Sequence, residues 1–215
     1  MAVEALEITV TASVASFRNP LYHGVQVGLP CPPPSTVGGL LASAAGGWDR
    51  VPVRTRFAMA FHAAGHGTDL ETYHPIVPGT AQPPATIKER DFLAFTTLTL
   101  WLTEDLDLWE NAIRRPVWRL RLGRSQDLAA ARTERTALSE RPGTQGRAVV
   151  PADQAGSGVL LQLPTALSAD RERTVWDTYR YAANGSPATL ETGLRSDDGQ
   201  AVVLLPPVHP AQFAA

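Results

Sequence analysis

Three consecutive prolines, Pro32-Pro33-Pro34, constrain this chain more than any other feature. Their fixed φ and missing backbone donors exclude them from the interior of a sheet or helix, so the chain must run extended there. Ser35 and Thr36 follow at once and can cap a helix N-terminus with a side-chain oxygen. Gly38, Gly39, Ala42, Ser43, Ala44 and Ala45 make that helix thin, able to lie close to another backbone. The same helix start can hold a phosphate, because its first amides are free. Just upstream, Phe17, Arg18, Tyr22 and His23 offer stacking planes and donors on a loop.

The remaining punctuation gives an order of elements. Residues 4–14 alternate and are rich in Leu, Ile, Val and Thr, which predicts a strand. The first helix covers 35–45 and closes at Gly46-Gly47. Residues 51–62 carry Val53, Thr55, Phe57, Met59 and Phe61 on one face, and 92–102 form a second strong strand pattern. Thr103 can cap a helix through Leu106, Trp109 and Ile113, ending at Arg114 and Arg115 before Pro116. Residues 117–122 alternate again, with Trp118, Leu120 and Leu122 opposite Arg119 and Arg121. The class is α+β, and the order is the ferredoxin-like βαββαβ pattern of RNA-recognition modules. That fold alone does not fix a function.

The link between the second and third strands, about 63–91, is too long for a plain hairpin and holds Gly65, Gly67, Pro75, Pro78, Gly79, Pro83 and Pro84. Residues 129–154 are polar and rich in Arg and Ala, which reads as a surface helix or mobile segment. Residues 158–163 and 201–205 read as short strands of a C-terminal appendage. The expected division is a domain over 1–128 and an appendage over 129–215.

Composition narrows the function classes. The net charge is −2, which argues against a generic polyanion binder, so any nucleic acid must be held in a local groove. Lys88 is the only lysine and Cys31 the only cysteine, so no internal disulfide or thiolate metal cluster can form. No run of eighteen apolar residues and no basic leader is present, and the expectation is a cytoplasmic protein without a membrane span. His62 and His66 have the i, i+4 spacing of a metal pair, but Gly65 and Gly67 oppose a helix there and no third ligand is near. Trp101, Trp109, Trp118 and Trp176 fall on apolar faces and read as core. Lys88 and Arg90, beside the third strand, would meet backbone phosphates. Gly123-Arg124-Ser125-Gln126 follows the last expected core strand, where the glycine lets a backbone approach and the next three residues offer donors.

Phe17-Arg18, Leu29-Pro30, Pro32-Pro33-Pro34-Ser35-Thr36 and Gly39-Leu40-Leu41 resemble the CRISPR-associated Cas-five family. Lys88-Glu89-Arg90-Asp91-Phe92-Leu93 and the run from Leu122 to Leu128 fit the same family, so the resemblance spans the first two-thirds of the chain. It is similar above all to type I-B and I-A members. The resemblance implies a ferredoxin-like (RAMP) fold whose long connection is a β-hairpin thumb. It implies a non-catalytic subunit of a type I surveillance (Cascade) complex that caps the 5′ handle of the guide RNA (crRNA). The implied partners are that handle, the backbone subunit and the large subunit; target DNA near the PAM is a further partner it admits. The RNA contacts expected on these grounds are Phe17, Arg18, Tyr22, His23, Ser35, Thr36, Lys88, Arg90, Arg124, Ser125 and Gln126, with no cofactor, metal or catalytic residue. A second reading is metal-free cleavage of the guide precursor by Tyr22, His74 and Lys88, as one branch of the family (type I-C) performs. The adjacent Lys-His pair of that branch is absent, since Glu89 follows Lys88. A third reading, an unrelated ferredoxin-like enzyme, calls for an acid–base pair in a closed pocket, and the sequence offers none.

Overall fold

The computed structural model describes residues 2–22, 27–74, 85–154, 156–191 and 193–213. The first strands and α-helices are β1 (Ala2–Ala15), α1 (Pro34–Ala45), β2 (Ala58–Tyr73), β3 (Thr86–Leu102), α2 (Leu106–Arg114) and β4 (Ala129–Ser139), with a short 3-10 turn at Trp48–Arg50 after α1. Alternation in β1 buries Leu6, Ile8, Val10 and Ala12 on one face. β1 lies between β3 and β4, antiparallel to both, with Val10 opposite Leu98 and Ala131. β2 pairs antiparallel with the far side of β3, Phe61 opposite Leu98. The strand order β4-β1-β3-β2 is thus antiparallel throughout. Val37, Leu40, Leu41, Trp109 and Ile113 of the two helices pack on Leu6, Ile8, Met59, Leu98 and Leu100. A smaller cluster of Ala5, Ala58, Trp101, Leu138 and Val202 is built separately from it.

The chain then adds β5 (Gly143–Gly146), β6 (Ala148–Pro151), β7 (Val159–Leu167), β8 (Thr174–Tyr181), β9 (Ser186–Leu190), β10 (Leu194–Arg195) and β11 (Ala201–Val202). Seven of the eleven strands extend or complete one sheet around the β1–β3 pair, in the order β11-β10-β4-β1-β3-β2-β6-β8-β7, and β5 pairs with β9. No helix of the described residues is long and apolar enough to cross a membrane.

Several expectations change. α1 begins at Pro34 with Pro33 as its cap and no side-chain cap, so Ser35 and Thr36 do not cap it. Proline at the first helical position removes a donor that has no partner anyway. The thin-helix reading holds: a Cβ on Gly38 would sit 2.6 Å from Val208 Cγ2. Residues 51–57 are turns rather than the start of a strand, and β2 begins at Ala58. Residues 117–122 keep the expected alternation, with Leu120 and Leu122 buried, yet form no strand. Their first amides go elsewhere: Val117 N–H donates to Ala44 O at 3.0 Å and Trp118 N–H to Ser43 O at 3.2 Å, both at the C-terminus of α1. Trp118 is therefore 63% exposed and not core, whereas Trp101 and Trp109 are buried. The strand after α2 is β4, within the segment expected to be a helix or mobile; its pairing with β1 overrides local propensity. β4 thus joins the same sheet as β1 and β3.

The long connection is mostly strand. β1 ends at Ala15, opposite Leu93, while β2 and β3 stay paired as far as Tyr73 opposite Thr86. The stretch from Gly67–Phe92 to Tyr73–Thr86 therefore projects beyond the sheet as a two-stranded arm about 20 Å long. The prolines expected in the connection fall in 75–84, outside the described residues.

Two neighbouring glycines of α1 separate packing from propensity. Gly39 has nothing within 4 Å of a built Cβ, so Gly39→Ala should raise the unfolding free energy by about 0.5–1 kcal/mol. Gly38→Ala must displace Val208 and should lower it by about 1–2 kcal/mol. Urea denaturation of the two variants reads the difference; equal shifts would contradict the close packing of α1 on the C-terminal segment.

Candidate nucleic-acid interface

The end of β1 is fixed by Ser16. Its N–H donates to Asp127 Oδ2 at 3.2 Å and its hydroxyl to Asp91 O at 2.7 Å, tying the last sheet turn to the base of the arm. Phe17 then turns inward and meets Phe61 edge-on, with centroids 5.7 Å apart. Leu29 N–H donates to Phe17 O at 2.6 Å and Asn19 N–H to Val27 O at 2.9 Å, so residues 17–19 and 27–29 form a short ladder. Arg18, bridged to Gly28 through the backbone, keeps its side chain exposed. Tyr22 is 50% exposed beyond it. Between this ladder and the arm base lies a small cleft of about 190 Å³, lined by Phe17, Gly28, Leu29, His66, Asp91 and Phe92.

The turn after Leu122 packs against the same point. Gly123 has φ +105°, and a Cβ there would lie 2.7 Å from Ser16 O, so only glycine fits. The Asp127 side chain is buried and accepts Arg124 N–H at 3.1 Å, Arg124 Nε–H at 3.0 Å and Ser16 N–H. Arg124 Nη2 lies 2.9 Å from Asp127 Oδ1. The expected phosphate ligand Arg124 is thus neutralised by its own turn, which it holds in shape. Ser125 and Gln126 remain exposed at the tip.

Strand register sorts the arm. Asp69, Glu71 and Tyr73 face Arg90, Lys88 and Thr86, while Leu70 and Thr72 face Glu89 and Ile87 from the other side. The Arg90 side chain is 7% exposed; it pairs with Asp69 and lies 2.8 Å from Glu71. Two carboxylates already neutralise it, so Arg90 stiffens the arm and does not offer a free charge to phosphate. Lys88 lies over the Tyr73 ring, 4.8 Å from its centroid. Leu70 and Ile87 are exposed, at 69% and 70%.

The structure therefore brings Arg18, Tyr22, the Gly123–Gln126 turn and the base of the arm to one end of the sheet. Phe17 belongs to the core and presents no stacking plane. Ser35 is buried and Thr36 half-buried, and Ser35 borders a different cleft of about 360 Å³ with Trp48, Ser168 and Arg171. His23 lies outside the described residues. His62 and His66 stand on β2, where four residues span about 13 Å, too far to share an ion. Among the described residues no group of three or more His, Cys, Asp or Glu could hold a metal. Burial pushes the Cys31 thiol well above its ordinary range, which makes it inert.

One exposed aromatic escaped the sequence reading. Phe95 has φ +50° in the middle of β3, a strained conformation for a bulky residue, and is 73% exposed. It borders an open groove of about 540 Å³ with Thr11, Ser13, Thr97, Leu128 and Ala130. The signal was the phase of alternation, which sets Phe95 with Thr97 and Thr99 against buried Leu98 and Leu100.

The model of a family described as CRISPR-associated protein (Cas_Cas5) matches residues 5–196. A search of curated proteins gives no match. Among solved structures, a chain of a "CRISPR RNA-guided surveillance complex" is similar with a TM-score of 0.57 and 17% identity, over 86% of this chain and 91% of that one. A CRISPR protein from Archaeoglobus fulgidus gives 0.53 and 12%, over 94% and 99%. A chain of the Type III-B Cmr-beta complex bound to cognate target RNA gives 0.54 and 9%, over 86% of each chain. At these identities the likeness is one of fold.

Removing the buried carboxylate should loosen this whole junction. Asp127→Ala leaves the Ser16 amide and Arg124 without their acceptor and should lower the unfolding free energy by about 3 kcal/mol in a denaturant titration. Ser125→Ala and Gln126→Ala should stay within about 0.5 kcal/mol of the parent. A neutral Asp127→Ala would contradict the junction.

Proposed function

Because the chain belongs to the CRISPR-associated Cas5 family, we propose that it is a non-catalytic subunit of a type I CRISPR surveillance (Cascade) complex, in which it caps the 5′ handle of the guide RNA and docks the backbone and large subunits. The observation that carries this reading is the convergence at the arm base. The Arg18–Tyr22 loop, the Ser125–Gln126 tip and the two-stranded arm all meet where Ser16 leaves the sheet. A splayed single strand needs donors for its phosphates and a ridge to hold it, and this end supplies both. The ferredoxin-like assignment is supported by the antiparallel order β4-β1-β3-β2 with α1 and α2 packed on the sheet. The similar solved chains, one of a surveillance complex and one of a complex holding target RNA, support an effector-complex role.

The working contact set is Arg18, Tyr22, Lys88, Ser125 and Gln126, with Arg90 and Arg124 as the residues that shape the surface. His23 is kept in this set on the resemblance alone. The absence of cleavage is likewise a proposal. It is supported by the placement of His74, exposed just past the last described arm pair. A general base displaced by about 1 Å can lose two orders of magnitude in rate.

Handle capture by the reconstituted complex tests both parts at once. Arg18→Ala should weaken it about tenfold, the worth of one charge-assisted phosphate contact, while Arg50→Ala on the turn after α1 should leave it unchanged. The precursor RNA in the same reactions, without metal, should stay intact. Equal effects of the two arginine variants would remove the site from the arm base. Site-specific cleavage lost in His74→Ala with binding intact would replace this reading with the endoribonuclease.

A further inference from the structure

The segment from α2 to the Gly123 turn carries Arg114, Arg115, Arg119 and Arg121 and contains no acidic residue between Glu110 and Asp127. All four arginines are exposed. Among the described residues, the ion pairs of the molecule engage Arg54, Arg90, Arg124 and Arg135 and none of these four. The strip therefore concentrates unpaired positive charge on a chain whose net charge is −2. Arg114 also suits the C-terminal end of α2, where a cation meets the helix dipole. That argument does not reach Arg119 and Arg121, which lie beyond the helix.

The strip also carries exposed apolar surface. Trp118 and Val117 are each 63% exposed, and among the described residues Trp118 enters no ring or cation–π contact. Its backbone is nevertheless held firmly. The Val117 and Trp118 amides are bonded to α1, Leu120 and Leu122 are buried, and Leu122 N–H donates to Asp127 O at 3.0 Å. Alternation then turns Arg119 and Arg121 outward from this fixed run. A backbone held at both ends, with outward cations and one exposed indole, is a track for a strand, not a random charged loop.

We propose that residues 114–121 form a second nucleic-acid surface, which takes a single-stranded polynucleotide with its phosphates on the four arginines and an unpaired base stacked on Trp118. An indole plane accepts any base once it is unpaired, and arginine fits phosphate oxygens in pairs. None of these residues is used at the arm base, so the inference stands apart from the handle reading. RNA and DNA strands present the same phosphates and π-faces here.

Fluorescence anisotropy of the full-length chain, with labelled single strands of about twelve nucleotides lacking a handle sequence, tests it in parallel RNA and DNA arms. Trp118→Ala should weaken binding about tenfold and Trp118→Phe should restore most of it. Replacing the four arginines with Gln should flatten the dependence of log K on log salt by about 3, as expected for four lost phosphate contacts on a single strand. A loss confined to the RNA arm assigns the surface to the guide strand, and one confined to the DNA arm assigns it to a target strand; either supports the track. Unchanged affinity in both variants overturns it. So does equal loss for polyglutamate without rescue by Phe, or a Trp118→Ala protein that binds both strands normally but fails to join another subunit.

Discussion

β3 is paired on both edges over Leu93–Trp101, apart from Phe95, and on the β2 edge only over Thr86–Phe92. That change of support along one strand organises the molecule. Where both edges are bonded, Leu98 and Leu100 are fully buried, and the helices pack there. Where one edge is open, the ladder has two strands, and a two-stranded ribbon alone is marginal in water. The arm compensates with cross-strand contacts: Arg90 between Asp69 and Glu71, and Lys88 over Tyr73. Ser16 fixes the transition, because its amide and hydroxyl bond to elements on either side of the point where β1 stops.

Two groups of cations stand apart by this geometry. Arg90 and Arg124 are partly or wholly enclosed and matched by carboxylates, so they set the shape of the arm and the turn. Arg18 and the strip from Arg114 to Arg121 are exposed and, among the described residues, enter no ion pair. A near-neutral protein can thus present local positive surface, and its affinity for a strand should depend on where the strand lies rather than on a general field.

Much of the framework was legible in the sequence. The prolines placed the start of α1, Pro116 placed the end of α2, and alternation identified β1, the core of β2 and most of β3. What alternation cannot report is the partner of each amide. Leu120 and Leu122 turn inward as expected, but the chain there hydrogen-bonds to α1 and only β4 reaches the edge of β1. β4, mostly Ala, Thr and Arg apart from Leu138, becomes a strand chiefly through its long pairing with β1. The site was legible as segments and misread as side chains. Phe17, Arg90 and Arg124 were chosen for their chemistry, yet burial of Phe17 against Phe61, the facing-strand carboxylates of Arg90 and the Asp127 carboxylate within the turn of Arg124 give them structural work. Trp118 and Phe95 were hidden because large aromatic residues in apolar runs suggest core.

The central claim is that a guide strand lies across the base of the arm. Photo-cross-linking of the reconstituted complex, with 4-thiouridine placed in turn at each handle position and the adducts located by mass spectrometry, addresses it directly. The account predicts adducts on residues 18–22, 86–89 and 123–126. Adducts confined to the β7–β9 end of the molecule, with none at the arm base, would contradict it.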